Sequence, residues 1–148
     1  MHNFHKGFYK IVHPEKYAGD PNNIIYRSSW EAKVFSWLDN HPDVILWGSE
    51  ELIIPYWDSI QNKKRRYFPD LIFKIKQKNN DINIYVVEIK PEFQTKPPIQ
   101  RKQTKRYLTE TMTYVNNMDK WNAAEKYCEE KGWKFLVLTE KSLGIFTK

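Results

Sequence analysis

Two stretches of this chain alternate apolar and polar side chains with a period of two, and a polar turn at Asn79-Asn80 separates them. In the first, Leu71, Phe73 and Ile75 lie against Asp70, Ile72 and Lys74; in the second, Ile82, Ile84 and Val86 share one face with Glu88 and Lys90. Successive strand residues point to opposite faces, so each stretch predicts a strand with one buried side, and together they predict an antiparallel hairpin. With the turn centred near Asn79-Asn80, the numbers of facing residues sum to about 159, which sets Asp70 opposite Ile89, beside Glu88 and Lys90.

The other elements are arranged before and after this hairpin. Ser28-Ser29-Trp30-Glu31 has the Ser-x-x-Glu form of a capping box, and Trp30, Val34, Trp37 and Leu38 follow at helical spacing. They predict a helix over 29–40, which His41-Pro42 ends. Residues 44–47 and 51–57 are rich in β-branched and aromatic side chains and predict two short strands, the second an edge or bent strand because of Pro55. Residues 58–64 predict a polar turn, and the hairpin strands run over 66–76 and 82–90. Pro97-Pro98 closes the sheet segment, and Pro98 is placed to start a helix over 99–116. Asp119 then caps a third helix whose apolar face is Trp121, Ala124, Tyr127 and Cys128, and Gly132 stops it before a last strand over 133–139. Residues 1–26 carry Pro14, Gly19, Asp20 and Pro21 without any period and predict an irregular arm. With no repeat and no break in composition, 1–148 reads as one domain.

Composition excludes several classes. The 6 Trp, 9 Tyr and 8 Phe supply bulk for a core, which argues against a disordered chain. One cysteine, Cys128, cannot form an internal disulfide or a Cys-rich zinc module, and His2, His5, His13 and His41 lack metal-ligand spacing. No apolar run is long enough for a membrane span or a signal core, so the chain is expected in a cytoplasm or in a particle made there. The 24 Lys and Arg against 18 Asp and Glu leave a net charge of +6, which favours a polyanionic partner because neutralised phosphates release condensed counterions. The same charge also serves plain solubility, so its placement matters more than its sum.

The chemistry lies where the hairpin's pattern is interrupted. A face that buries aliphatic residues ends in Glu88 and Lys90, and charges there are costly unless paired or bound. Asp70 brings a second carboxylate to the same place. Neighbouring carboxylates require a raised pKa, an adjacent cation or a metal, and magnesium takes one or two carboxylates with waters and phosphate oxygens completing its shell. Such an ion polarises a phosphodiester and acidifies an attacking water, while Lys90 orients that water or offsets charge building on the phosphorane. The plainer alternative is that Asp70 only begins a strand and that Glu88 and Lys90 form an exposed pair contributing a few tenths of a kcal/mol. Glu-x-Lys alone is a weak signal in so charged a chain; joined to Pro69-Asp70 it becomes more specific.

Pro69-Asp70, followed 18 positions later by Glu88-Ile89-Lys90, resembles the PD-(D/E)XK nuclease motif, and the expected order of helix, hairpin, helix and strand is similar to that superfamily's core. The fold so implied is an α/β (α+β) domain, a central mixed β-sheet flanked by helices. The resemblance implies a catalytic and metal-ligating role for Glu31 on the first helix beside Asp70, Glu88 and Lys90, although Glu31 also completes the capping box with Ser28. Glu50, entering the second strand, is held as a supporting residue, since alternation turns only one of Glu50 and Glu51 inward. Gln103 and Tyr107 match a Gln-xxx-Tyr pattern of some superfamily members, and Gln103 would support Lys90 or a phosphate.

Tyr26-Arg27-Ser28-Ser29-Trp30-Glu31, Trp47-Gly48-Ser49-Glu50, Ile54-Pro55-Tyr56, Lys63-Lys64-Arg65-Arg66-Tyr67-Phe68-Pro69-Asp70 and Glu88-Ile89-Lys90-Pro91, with Thr139-Glu140 after the last strand, together resemble the head-completion nucleases of tailed phages. That likeness spans nearly the whole chain. It implies a magnesium-dependent deoxyribonuclease, with manganese serving in vitro, that trims packaged DNA and prepares filled heads for tail joining. Phage head, portal or neck proteins would be its partners, without a membrane. Its place would be the bacterial host cytoplasm during assembly, or the virion. Two basic clusters flank the proposed site, Lys63, Lys64, Arg65 and Arg66 before Asp70, and Arg101, Lys102, Lys105 and Arg106 on the following helix. They predict DNA binding through phosphates, hence without sequence specificity. The alternatives are a transposase-type endonuclease subunit, whose core is similar, and a non-catalytic DNA-binding or head-neck adaptor. The intact Asp70, Glu88 and Lys90 set favours catalysis over the adaptor.

Overall fold

The structure is a computed structural model that describes residues 6–99 and 102–142. Its centre is a four-stranded mixed sheet in the order β3 (Val44–Ser49), β6 (Leu71–Lys76), β7 (Ile82–Ile89), β8 (Lys134–Leu138). β3, β6 and β7 pair antiparallel, and β8 joins β7 in parallel. Val86 and Val87, neighbours on β7, are both 0 % exposed. Their side chains alternate, so each face of the sheet carries its own apolar cluster. Val87 packs with Leu71, Phe73, Trp47 and the Val34, Phe35 and Leu38 face of α1 (Ser29–Asn40). Val86 packs with Ile54, Tyr56 and Tyr67 and with Trp121, Ala124 and Cys128 of α2 (Lys105–Lys131). A separate hairpin, β4 (Ile54–Asp58) with β5 (Lys63–Tyr67), covers that second face together with α2. Pro55 is accommodated because β4 pairs with β5 alone among the described strands.

α1 begins as expected, with Ser28 Oγ accepting from the Glu31 amide at 3.2 Å. Four expectations are corrected. The helices expected over 99–116 and after Asp119 are one helix of 27 residues, capped by Thr104, whose Oγ1 accepts from the Tyr107 amide, and ended by Gly132 at φ 74°. No Gly or Pro interrupts 105–131, so nothing breaks the helix there. Asp119 is interior to it, and its carboxylate accepts from the amide and hydroxyl of Ser59. The basic run expected to leave a polar turn is itself strand β5.

The third correction is the arm, whose described part is ordered onto the body. β1 (Gly7–Phe8) pairs with β2 (Ile25–Tyr26), and Tyr17 and Ile24 enter the core beside Trp47. The fully buried Asp39 of α1 holds this segment, accepting from Tyr9 Oη at 2.7 Å, the Val12 amide at 2.8 Å and the His13 amide at 2.9 Å. Lys16 donates to the carbonyls of Asp39 and His41 at the end of α1.

The last correction is register. Leu71 faces Val87 and Lys76 faces Ile82, a sum of 158 rather than about 159. The loop is five residues, closed by the Gln77 amide on the Asp81 carbonyl and helped by Asn80 at φ 68°. One step in register exchanges the faces, so continuing it past Leu71 sets Asp70 opposite Glu88 itself rather than opposite Ile89.

Candidate active site

Strand β6 starts, and β7 ends, at the same end of the sheet, and this brings Asp70 to Glu88. Pro69 is fully buried and sets the entry to β6. The Ile89 amide, beyond the last paired residue of the hairpin, donates to Asp70 Oδ2 at 2.7 Å. Glu88 is buried; its Oε1 accepts from Tyr67 Oη at 2.6 Å and its Oε2 lies 3.6 Å from Lys90 Nζ. Lys90 is held in place by its amide, which donates to the Leu138 carbonyl of β8.

Burial and the neighbouring Glu88 charge push the Asp70 carboxyl up to about 8; the Ile89 amide opposes this, and the charge of Glu31 adds to it. Burial likewise raises Glu88, against the pull of the Tyr67 hydroxyl and of the Lys90 and Lys120 ammonium groups. Burial and the adjacent Glu88 carboxylate raise Tyr67, which therefore remains a donor. Both carboxyls thus have raised proton affinity, as neighbouring acids partly withdrawn from water do.

The remaining predicted residues divide. Glu31 stands within electrostatic reach of Asp70, yet its Oε1 accepts from the Arg27 amide at 3.0 Å, one residue before the Ser28 amide that a capping box uses, so only the Ser28 half of the box is formed. Glu50 adopts φ 55° and its amide donates to the Asp70 carbonyl, while its carboxylate pairs with Arg27. Glu51 turns elsewhere, accepting from Tyr17. Gln103 precedes the helix cap and is exposed, so the helical spacing with Tyr107 is not realised. Arg101 lies outside the described residues. Lys102, Lys105 and Arg106 are exposed at the start of α2, with Arg106 paired to Glu110 at 2.9 Å. On β5, Lys63, Lys64 and Arg66 are exposed. Arg65 reaches the buried Asp58 at 3.2 Å and so serves the fold.

Two residues escaped sequence reasoning. Tyr67 was read only as part of the approach to Asp70, and its partner Glu88 is 21 residues away. Lys120 comes from the middle of α2, with Nζ 5.9 Å from the Tyr67 ring centre and its charge felt at Glu88. The one available signal was a lysine one residue from Trp121, the helix's buried aromatic. Among the described residues no three His, Cys, Asp or Glu side chains converge as a metal cage. Asp70 and Glu88 are two oxygen donors, and Asp70 Oδ1 accepts no hydrogen bond from the described residues. That set fits a hard cation using one or two carboxylates with water.

A mixed sheet with helices on its two faces, and neighbouring carboxylates beside a lysine at one end of its central strands, define a nuclease-like core. Residues 41–140 match the family model described as TnsA-like endonuclease N terminal, and the chain belongs to that family. It is also similar to the head completion nuclease of Enterobacteria phage T4, with 44% identity over 133 residues, covering 86% of each chain.

Proposed function

We propose that this nuclease is a magnesium-dependent deoxyribonuclease, with manganese able to substitute in vitro, and that Asp70 and Glu88 hold the ion. The observation that carries this reading is the neighbouring pair of Asp70 and Glu88 carboxyls at the open end of the hairpin, both with raised proton affinity, with Lys90 beside Glu88. A proton or a divalent cation relieves such a pair. When bound, magnesium supplies Lewis acidity toward a phosphodiester and lowers the pKa of a coordinated water. Tyr67 holds Oε1 of Glu88 and so leaves Oε2, beside Lys90, for an ion. Lys90 positions the attacking water or balances the negative charge that grows on the phosphorane oxygens. Glu31 is the third candidate ligand, and to serve it would exchange the Arg27 amide for the ion.

The substrate is DNA, held through phosphates by the exposed lysines and arginines of β5 and of the start of α2, and cut without regard to sequence. The name of the phage T4 relative supports a role in head completion, in which packaged DNA is trimmed and heads are made ready for tails, in the host cytoplasm or the virion and in company with head, portal or neck proteins. Incubation with linear and closed-circular DNA, in magnesium or manganese against chelator, tests the reading. Cleavage in either metal and none in chelator is expected, and a cut circle identifies endonuclease action. Cleavage that survives chelation, or DNA left intact throughout, overturns it.

A further inference from the structure

Between residues 93–99 and the N-terminal half of α2 lies a groove of about 1430 Å³. It exceeds the roughly 300–1,000 Å³ typical of small-molecule sites, so a chain-like ligand suits it better. Its lining residues include the aromatics Phe93, Tyr107 and Tyr114 and the lysines Lys96, Lys102 and Lys105, with Glu110 as the one acid. Phe93 is 72 % exposed. Arg106 is engaged by Glu110 and Lys96 by Glu92, whereas Lys102 and Lys105 make no ion pair among the described residues.

We infer that this groove binds an unpaired DNA strand and leads it to the Asp70 and Glu88 carboxylates, an inference that rests on the nuclease reading above. An exposed ring, Phe93, with the half-buried Tyr107 and Tyr114 among cations fits a single strand, whose bases stack on rings while its phosphates meet lysines. A duplex keeps its base faces inside its own stack and would leave Phe93 unused; a polyphosphate would need only the lysines. The groove also connects with the site along the chain. Asn117 lines it, and three residues on, about one helical turn, Lys120 reaches over the Tyr67 ring that bonds Glu88. Its other wall, residues 93–99, follows closely on Lys90.

Fluorescence anisotropy in chelator, with a labelled single-stranded oligonucleotide and a duplex of equal length, tests this in the full chain. The single strand is expected to bind about tenfold more tightly. Phe93→Ala should weaken single-strand binding about fivefold to a hundredfold, the effect of losing one base stack, while leaving duplex binding unchanged; Phe93→Trp should preserve both. Because Phe93 is exposed, neither change disturbs the fold, which circular dichroism verifies. Equal binding of the two DNA forms, or a Phe93→Ala protein indistinguishable from the parent, overturns the inference. Chelation separates binding from chemistry. Single-strand binding that depends on Phe93, in a protein that cuts nothing in magnesium, supports the groove and overturns the nuclease reading. Cleavage without such binding does the reverse.

Discussion

Asp70 and Glu88 illustrate how a few atoms decide the pH behaviour of the molecule. Asp70's carboxyl rises from 3.8 to about 8 in the fold, so between these values the native state holds a proton that the unfolded chain has released. Stability then decreases as pH rises: the contribution is full below about 4 and is lost by about 8. In chelator, the thermal midpoint should fall by about 3 °C or more between pH 5 and pH 8, the shift that about 1 kcal/mol gives in a domain of this size. Asp70→Asn should flatten that slope, and magnesium should restore the midpoint chiefly at the higher pH. A midpoint that rises with pH in chelator contradicts the burial of the pair. Tyr67→Phe should cost about 10–100-fold in cleavage rate, the usual effect of removing a group that orients a metal ligand. Steady-state rates measured beside melting curves separate that loss from unfolding. The grouping of Asp70, Glu88 and Lys90 was readable in the sequence because Glu88 and Lys90 stand two positions apart at the end of β7 and Asp70 immediately precedes its hairpin partner β6. Tyr67 and Lys120 were not, because strand alternation and helix periodicity give a residue's face but not which distant carboxylate that face will meet.

At the scale of elements, the sheet strands and α1 were legible where the periodicity was strong, and the errors came from punctuation. Prolines at 97 and 98 suggested a helix start that Thr104 provides instead, and Asp119 suggested a cap although its carboxylate bonds Ser59 across 60 residues. Local signals of this kind state where a helix could begin; packing against β4 and β8 decides whether it does. The N-terminal segment lacked a period because it is held by side-chain-to-backbone bonds and short pairings rather than by an amphipathic face. Its anchor, Asp39, stands near the end of α1, where helix periodicity gives no sign of partners 26 to 30 residues away. Asp39→Ala should leave two arm amides without acceptors and cost about 2–5 kcal/mol, measured as a lower urea midpoint. An unchanged midpoint would show that the arm contributes nothing to stability.

For the whole molecule, the sheet serves as a partition: α1 and the N-terminal segment close one face, α2 and the β4–β5 hairpin the other, and the carboxylates sit at the end of the sheet where the central strands β6 and β7 begin and finish. Exposed lysines and arginines gather on β5 and at the start of α2, distinct from Asp70 and Glu88, so on the proposed function DNA binding and catalysis should separate on mutation. Binding should weaken steeply and linearly in log salt, as phosphate contacts require. The most direct test of the site is Asp70→Asn, assayed for magnesium-dependent cleavage of closed-circular DNA and, in parallel, for DNA binding across a salt series. Cleavage should fall at least a hundredfold while the affinity and its salt slope stay unchanged. Undiminished metal-dependent cleavage by Asp70→Asn would contradict the assignment of the Asp70 and Glu88 pair as the catalytic centre.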